Sequence, residues 1–226
     1  MREMKVSSMS EKEMIRKTEE FLKKKLSEGE YLKRNPSALE YRIAHSYRVA
    51  NIGKEIAEKE GLNVTEMIIG CLLHDISYCE TFRNEEDWRN HGRSAAKIAK
   101  PFLEELGLPE DRIRDILFGI AIHVDDEADF EGEYTAFART IGEADNIDRF
   151  DVYRIYENLE ASKFSSLSHE EKTAAVEKTL KNLRSYKDIE LASKTSRDLW
   201  IQRLDYYIGF YEKLGNQLKN STEVHV

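Results

Sequence analysis

A chain of 226 residues, 40% hydrophobic and 35% charged, is long enough for one large domain or two small ones and has a charge-rich surface. Its net charge of −8, with no basic block, argues against nucleic acid or an anionic membrane as partner, and no apolar run reaches transmembrane length. The first ten residues lack a signal-peptide core, and two cysteines, Cys71 and Cys79, make no disulfide framework, so a reducing cytoplasm is the expected compartment.

Glu11 to Glu28 reads as a charged, weakly amphipathic helix with Phe21, Leu22 and Leu26 on its buried edge and the C-terminal part of the chain as a partner. Asn35-Pro36 opens the next helix and Gly61 closes it. Its apolar stripe is Tyr41, His45, Val49, Ile52 and Ile56, so His45 faces inward. Asn63 and Glu66 have capping-box spacing and start a helix to Ile76 that is apolar on every side. That helix ends in His74-Asp75. A buried carboxylate costs several kcal/mol unless it is paired or bound to metal, so the centre of the fold has a polar pair to satisfy. Cys71, one turn earlier, reads as a small core residue rather than a ligand.

Ser77 to Asn90 is a polar, aromatic-containing segment, read as a loop or short helical excursion that walls the polar pair. The following helix starts near His91 with Ala95, Ile98, Phe102 and Leu103 on its stripe, and Pro101 is expected to kink or split it. Pro109 opens a helix whose stripe, Ile113, Ile116, Leu117, Ile120, ends at His123. Asp125 to Asp129 is an acidic turn. Tyr134 to Arg149 is helical, and Asp145 occupies a position that the period assigns to an apolar residue. The remainder reads as packing helices: an aromatic-rich one over Asp151 to Phe164, one capped by Ser168 and Glu171, and a long one over Leu191 to Leu218 that offers a homodimer contact. His169 reads as solvated, and His225 in the tail carries no role.

The inward polar residues are His45, His74, Asp75, His91, His123 and Asp145. Four histidines and two carboxylates suit first-row transition metals. Six donors exceed one tetrahedral structural zinc and suit two metals with open positions and one bridging carboxylate. Adjacent His74 and Asp75 would diverge by about 100° around a helix and serve different metals.

The segments Ala44-His45-Ser46-Tyr47-Arg48-Val49, Leu72-Leu73-His74-Asp75-Ile76 and Glu143-Ala144-Asp145-Asn146-Ile147-Asp148-Arg149 resemble the HD superfamily of metal-dependent phosphohydrolases over residues 39–149. The resemblance implies an all-α HD-domain helical bundle with the metal site between helices and extra C-terminal helices. Residues 1–34 would be a helix packing on the core, 35–150 the metal-site core, and 151–226 helices completing the same domain. His45, His74, Asp75 and Asp145 would hold one metal. His91 and His123 resemble the added pair of the binuclear branch, in which Asp75 bridges. The chain lacks the Gly-Tyr-Pro signature of cyclic-dinucleotide phosphodiesterases.

The expected activity is hydrolysis of a phosphoester or phosphoanhydride bond of a nucleotide or other small phosphorylated metabolite through a metal-activated water. Asp75 and His74 would be its catalytic residues. The cofactors would be two divalent ions, iron or manganese ahead of nickel, zinc or magnesium. Arg48 and Arg149, each about one turn from a ligand, with Tyr78 and Arg83, are candidate substrate contacts; Arg93 is a weaker one. Tyr78, Phe82 or Trp88 would stack on a base or serve as core or lid. A di-iron oxygenase of the inositol-oxygenase type and a ligand-binding regulatory module are the alternatives.

Overall fold

The computed structural model describes residues 9–223, and every regular element among them is helical. His225 lies outside the described residues. The helices are α1 (Glu11–Glu28), α2 (Glu30–Arg34), α3 (Pro36–Glu60), α4 (Val64–Leu73), α5 (Glu85–Arg89), α6 (His91–Glu105), α7 (Glu110–Ile122), α8 (Ala136–Asp148), α9 (Val152–Ala161), α10 (His169–Ser185) and α11 (Lys194–Lys219). The chain forms two compact units that divide between Asp145 and Asn146, inside α8. No helix among the described residues is long and apolar enough to cross a membrane.

The first unit is built around α4. Met67, Ile69, Cys71, Leu72 and Leu73 are all at most 1% exposed. Each large apolar side chain buried in this way contributes roughly 1.5–3 kcal/mol, which together outweighs the cost of carrying a polar pair inward. Helices α3, α7 and α1 pack around α4. The α3 contact is close because residue 53 is glycine: a Cβ there would stand 2.5 Å from Cys71 Sγ. The Asn63 side chain accepts from the Glu66 amide at 3.0 Å and caps α4, and Glu66 in turn receives Arg112 Nε of α7 at 2.8 Å.

Helix α1 departs from the expectation of a C-terminal partner. It packs on α3 and α4, and Phe21 stacks on Phe102 of α6 with centroids 4.2 Å apart. Helix α6 also runs through Pro101 without splitting. The amide that proline lacks would have bonded the carbonyl of residue 97, and Lys97 and Pro101 are both exposed, so the lost bond falls on the solvent side of the helix.

In the second unit α10 and α11 pack together around Val176, Leu183, Leu204 and Ile208, with α9 against α11. Trp200 Nε1 donates to the Tyr186 carbonyl at 2.9 Å, and Asn158 donates to the Tyr207 hydroxyl at 2.6 Å. The expected capping box of Ser168 and Glu171 starts α10, and His169 beside it is exposed.

Candidate metal centre

The α-helix that begins at Val64 stops at Leu73, and His74 caps its C-terminus. Asp75 has φ −102° and ψ 15°, and a single 3-10 turn follows over Ile76–Cys79. The divergence of His74 from Asp75 therefore comes from the end of the helix, not from two steps around a helix that continues to Ile76. His123 takes the same place at the C-terminus of α7. His91 is the first residue of α6, directly after α5.

Asp75 is the hub. Its Oδ2 lies 3.4 Å from His45 Nε2 and 3.6 Å from His74 Nε2. Its Oδ1 lies 3.2 Å from His91 Nε2 and 3.6 Å from His123 Nε2. Asp145 Oδ1 joins the first half, 3.2 Å from His45 Nε2 and 3.7 Å from His74 Nε2. The six sequence-selected residues thus meet as two halves that share one carboxylate, each half facing its own oxygen. All six are at most 9% exposed. Two overlapping triads, His45–His74–Asp145 and His74–Asp75–His123, have atoms close enough to hold an ion.

Three of the four imidazoles are anchored alike. The Nδ1 atoms of His74, His91 and His123 lie 2.7, 2.5 and 2.7 Å from the carbonyls of Cys71, Trp88 and Ile120. A carbonyl at Nδ1 calls for the proton there, so in the neutral ring Nε2 is a bare lone pair aimed inward. His74 Nε2 then faces His45 Nε2 at 3.3 Å, and His91 Nε2 faces His123 Nε2 at 3.1 Å. Acceptors converge on acceptors and on two carboxylates, an arrangement that a cation relieves. The C-termini of α4 and α7 add the negative ends of two helix dipoles. The donor set fits divalent transition metals.

Burial pushes the Asp75 and Asp145 carboxyls up, but with no cation present the charged form of the surrounding imidazoles, donating from Nε2, more than offsets it and holds both well below the usual carboxylate range. Burial also pushes the Cys71 thiol up, so it remains a neutral core group as expected. Arg42 Nη1 donates to Asp75 Oδ2 at 2.8 Å, and its guanidinium lies 3.4 Å from the centroid of the Tyr78 ring. Burial disfavours its charge, but the Asp75 carboxylate more than restores it.

The model of the HD domain family matches residues 42–150, which contain all six residues and Arg42. The chain carries an HD domain. Its fold is similar to the crystal structure of a predicted HD superfamily hydrolase from an uncultured Thermotogales bacterium, with 18% identity, a TM-score of 0.59, and coverage of 89% of this chain and 91% of that one. No curated protein matches the sequence. HD domains bind divalent metals and define a family of metal-dependent phosphohydrolases.

Around the HD centre the 3-10 turn and α5 form an aromatic wall. Tyr78 and Phe82 pack at 4.8 Å, and Tyr78, Phe82 and Trp88 lie 5.4, 6.0 and 5.9 Å from the His91 ring. Trp88 is 44% exposed and so is not a core anchor. Arg48 lies 5.9 Å from the Tyr41 ring, which stacks on His45 at 6.0 Å. The Arg83 side chain is exposed on the rim of a cavity of about 770 Å³ lined also by Phe82, Asn90 and Arg93, and Arg149 is exposed in the second unit. Sequence reasoning passed over Arg42. It sits three residues before His45, so the helical period puts it one turn away on the inward face, and that spacing was the available signal.

Proposed function

We propose that this HD domain protein hydrolyses a phosphoester or phosphoanhydride bond of a small phosphorylated metabolite, with a nucleotide the favoured class. The observation that carries the reading is Asp75, whose two oxygens face different histidine pairs at 3.2 to 3.6 Å. A carboxylate so placed is built to join two cations. His45, His74, Asp145 and Asp75 Oδ2 would hold one, and Asp75 Oδ1, His91 and His123 the other. When bound, the ions supply Lewis-acid polarisation of the phosphoryl group and a water acidic enough to attack at neutral pH. Iron or manganese suits this His-rich set better than magnesium.

The chain's own residues supply the rest. Asp75 and Asp145 stay ionised and so remain ligands throughout the physiological range. The anchored imidazoles keep their lone pairs directed without reorganisation. Arg42 uses one N–H on Asp75 and keeps further N–H groups on its planar fork for a phosphate oxygen. Tyr78, Phe82 and the half-exposed Trp88 offer flat faces for a base, which supports the nucleotide class.

The test is phosphate release from a panel of nucleotides, dinucleoside polyphosphates and small phosphoesters with manganese, iron, cobalt, nickel or magnesium, beside Asp75→Ala. Turnover that vanishes in the variant supports the hydrolase and names its substrate. No release from any substrate, together with two bound irons and oxygen consumption, replaces it with the oxygenase.

A further inference from the structure

Arg93 stands two residues after His91, and Asp125 two residues after His123. Their side chains meet in a two-pronged ion pair, Nη1 to Oδ1 at 2.9 Å and Nη2 to Oδ2 at 3.0 Å. Nη1 also donates to the Glu127 carbonyl at 3.2 Å, and Nε donates to Asn90 Oδ1 at 2.9 Å. One guanidinium is therefore tied to the residue just before His91 and to the acidic loop that follows His123. The Arg93 side chain is 10% exposed and that of Asp125 is 28% exposed. Exposed ion pairs contribute little because both partners are free to wander in water. This pair stands at the surface, but it is bidentate, the arginine side chain is largely covered, and further acceptors join it, conditions under which an arginine fixes geometry.

We propose that the Arg93–Asp125 clasp is a positioning pair that sets the His91–His123 half of the centre and thereby the affinity for the second cation. The inference rests on the two-cation reading of Asp75. Each ring is oriented by a carbonyl within its own segment, Trp88 for His91 and Ile120 for His123. Those bonds fix each ring in its segment but do not fix one segment to the other. Gly92 lets α6 approach α7 closely, since a Cβ there would stand 2.5 Å from the Ala121 carbonyl. The clasp then locks the two ends that carry the rings, which brings His91 Nε2 within 3.1 Å of His123 Nε2. The acidic segment from Asp125 to Asp129, which in sequence reads as a solvated turn, is on this account half of a ligand-positioning device. Arg93, a weak candidate for substrate contact in sequence, has its guanidinium committed to it.

The test uses the full chain stripped with a chelator and titrated with manganese alone. Bound ion is counted by equilibrium dialysis with elemental analysis, and electron paramagnetic resonance reports a coupled pair. Arg93→Ala, Asp125→Ala and the swap of Arg93→Asp with Asp125→Arg are compared, with metal-free thermal melts to verify folding. The wild type takes two ions. In either single variant the first ion binds as in the wild type, the second weakens by about 10–100-fold, as for other groups that orient ligands, and the coupled signal is lost. The swap recovers most of it. If Arg93→Ala does not fold, Asp125→Ala and Asp125→Asn carry the test from the loop side. A second ion held with wild-type affinity by the single variants overturns the proposal, and so does equal weakening of both ions, the mark of general loosening. A wild type that binds a single ion overturns the two-cation reading and the clasp together, and is recognised without any variant.

Discussion

The two halves of the centre use the same chemistry on different supports. His45, His74 and Asp145 come from α3, the end of α4 and α8, and the two histidines are at most 2% exposed. His45 lies within the 25-residue α3, His74 at the end of the largely buried α4, and Asp145 in the last turn of α8. His91 and His123 are 6% and 9% exposed, and both border exposed structure. His91 hangs its Nδ1–H on the carbonyl of half-exposed Trp88 in a five-residue helix, and His123 opens into an acidic loop. A helix buried on several sides holds its side chains with many contacts at once. A short helix and a loop need specific ties, and the arginine clasp is one. On the proposed two-cation reading, the first half has the more deeply buried histidines, and the second is where affinity would be tuned.

The largest break in this comparison comes from the shared residue. Asp75→Ala removes an oxygen from each half and leaves Arg42 without its carboxylate. Metal content should fall at both halves and turnover should drop by more than about 100-fold, beyond the range for groups that only orient ligands. Elemental analysis beside a phosphate-release assay checks it. A variant that keeps one tightly bound ion would show that Asp75 serves one half only.

Gly92→Ala should separate the halves. The added Cβ would lie 2.5 Å from the Ala121 carbonyl, a backbone obstacle that cannot rotate away, and 3.0 Å from His123 Nδ1. Overpacking of this kind costs about 1–3 kcal/mol, and here it also spreads His91 from His123. The melting temperature should fall, the second ion should weaken, and the first should bind as before. Loss of both ions with equal affinity change would remove the distinction.

How much of this was legible in the sequence follows from what a periodic pattern encodes. Inward position is a matter of residue spacing, so His45, His91, His123 and Asp145 stand out on their stripes and His74-Asp75 at the end of an all-apolar run, and the all-α architecture with them. What a stripe does not encode is which groups meet across elements. Arg42 on Asp75 and Arg93 on Asp125 join residues 33 and 32 positions apart, so no local rule pairs them. The end of α4 at Leu73 was missed because Ile76 continues the apolar run, although it belongs to the next turn. The split expected at Pro101 does not occur, because a proline's cost depends on whether the freed carbonyl is open to solvent, and exposure is tertiary information.

A smaller effect tests the support of the first half alone. Asn63→Ala removes the side chain that accepts from the Glu66 amide at the start of α4. Losing such a cap costs about 1 kcal/mol. Thermal melts of the metal-free chain should drop by a few degrees, while the affinities for both ions hold, because the cap lies at the opposite end of α4 from His74. A change in affinity would mean that the helix transmits strain along its length.

The smallest effect is one of pH, and its sign follows from the Asp145 carboxyl. Its native value lies below the unfolded value of about 3.9, so the unfolded chain takes up the proton first as pH falls. The stabilisation from its ionised form is complete above the unfolded value and is lost only as pH drops through the lower native value. In the metal-free protein, the stability difference between wild type and Asp145→Asn should therefore be flat from pH 7 to about pH 5. Below about pH 4 it should shift against the wild type, by no more than about 1.4 kcal/mol per pH unit for one proton. Denaturant unfolding at a series of pH values reads it directly. A difference that already moves between pH 7 and 5 would overturn this placement of the Asp145 carboxyl below its unfolded value.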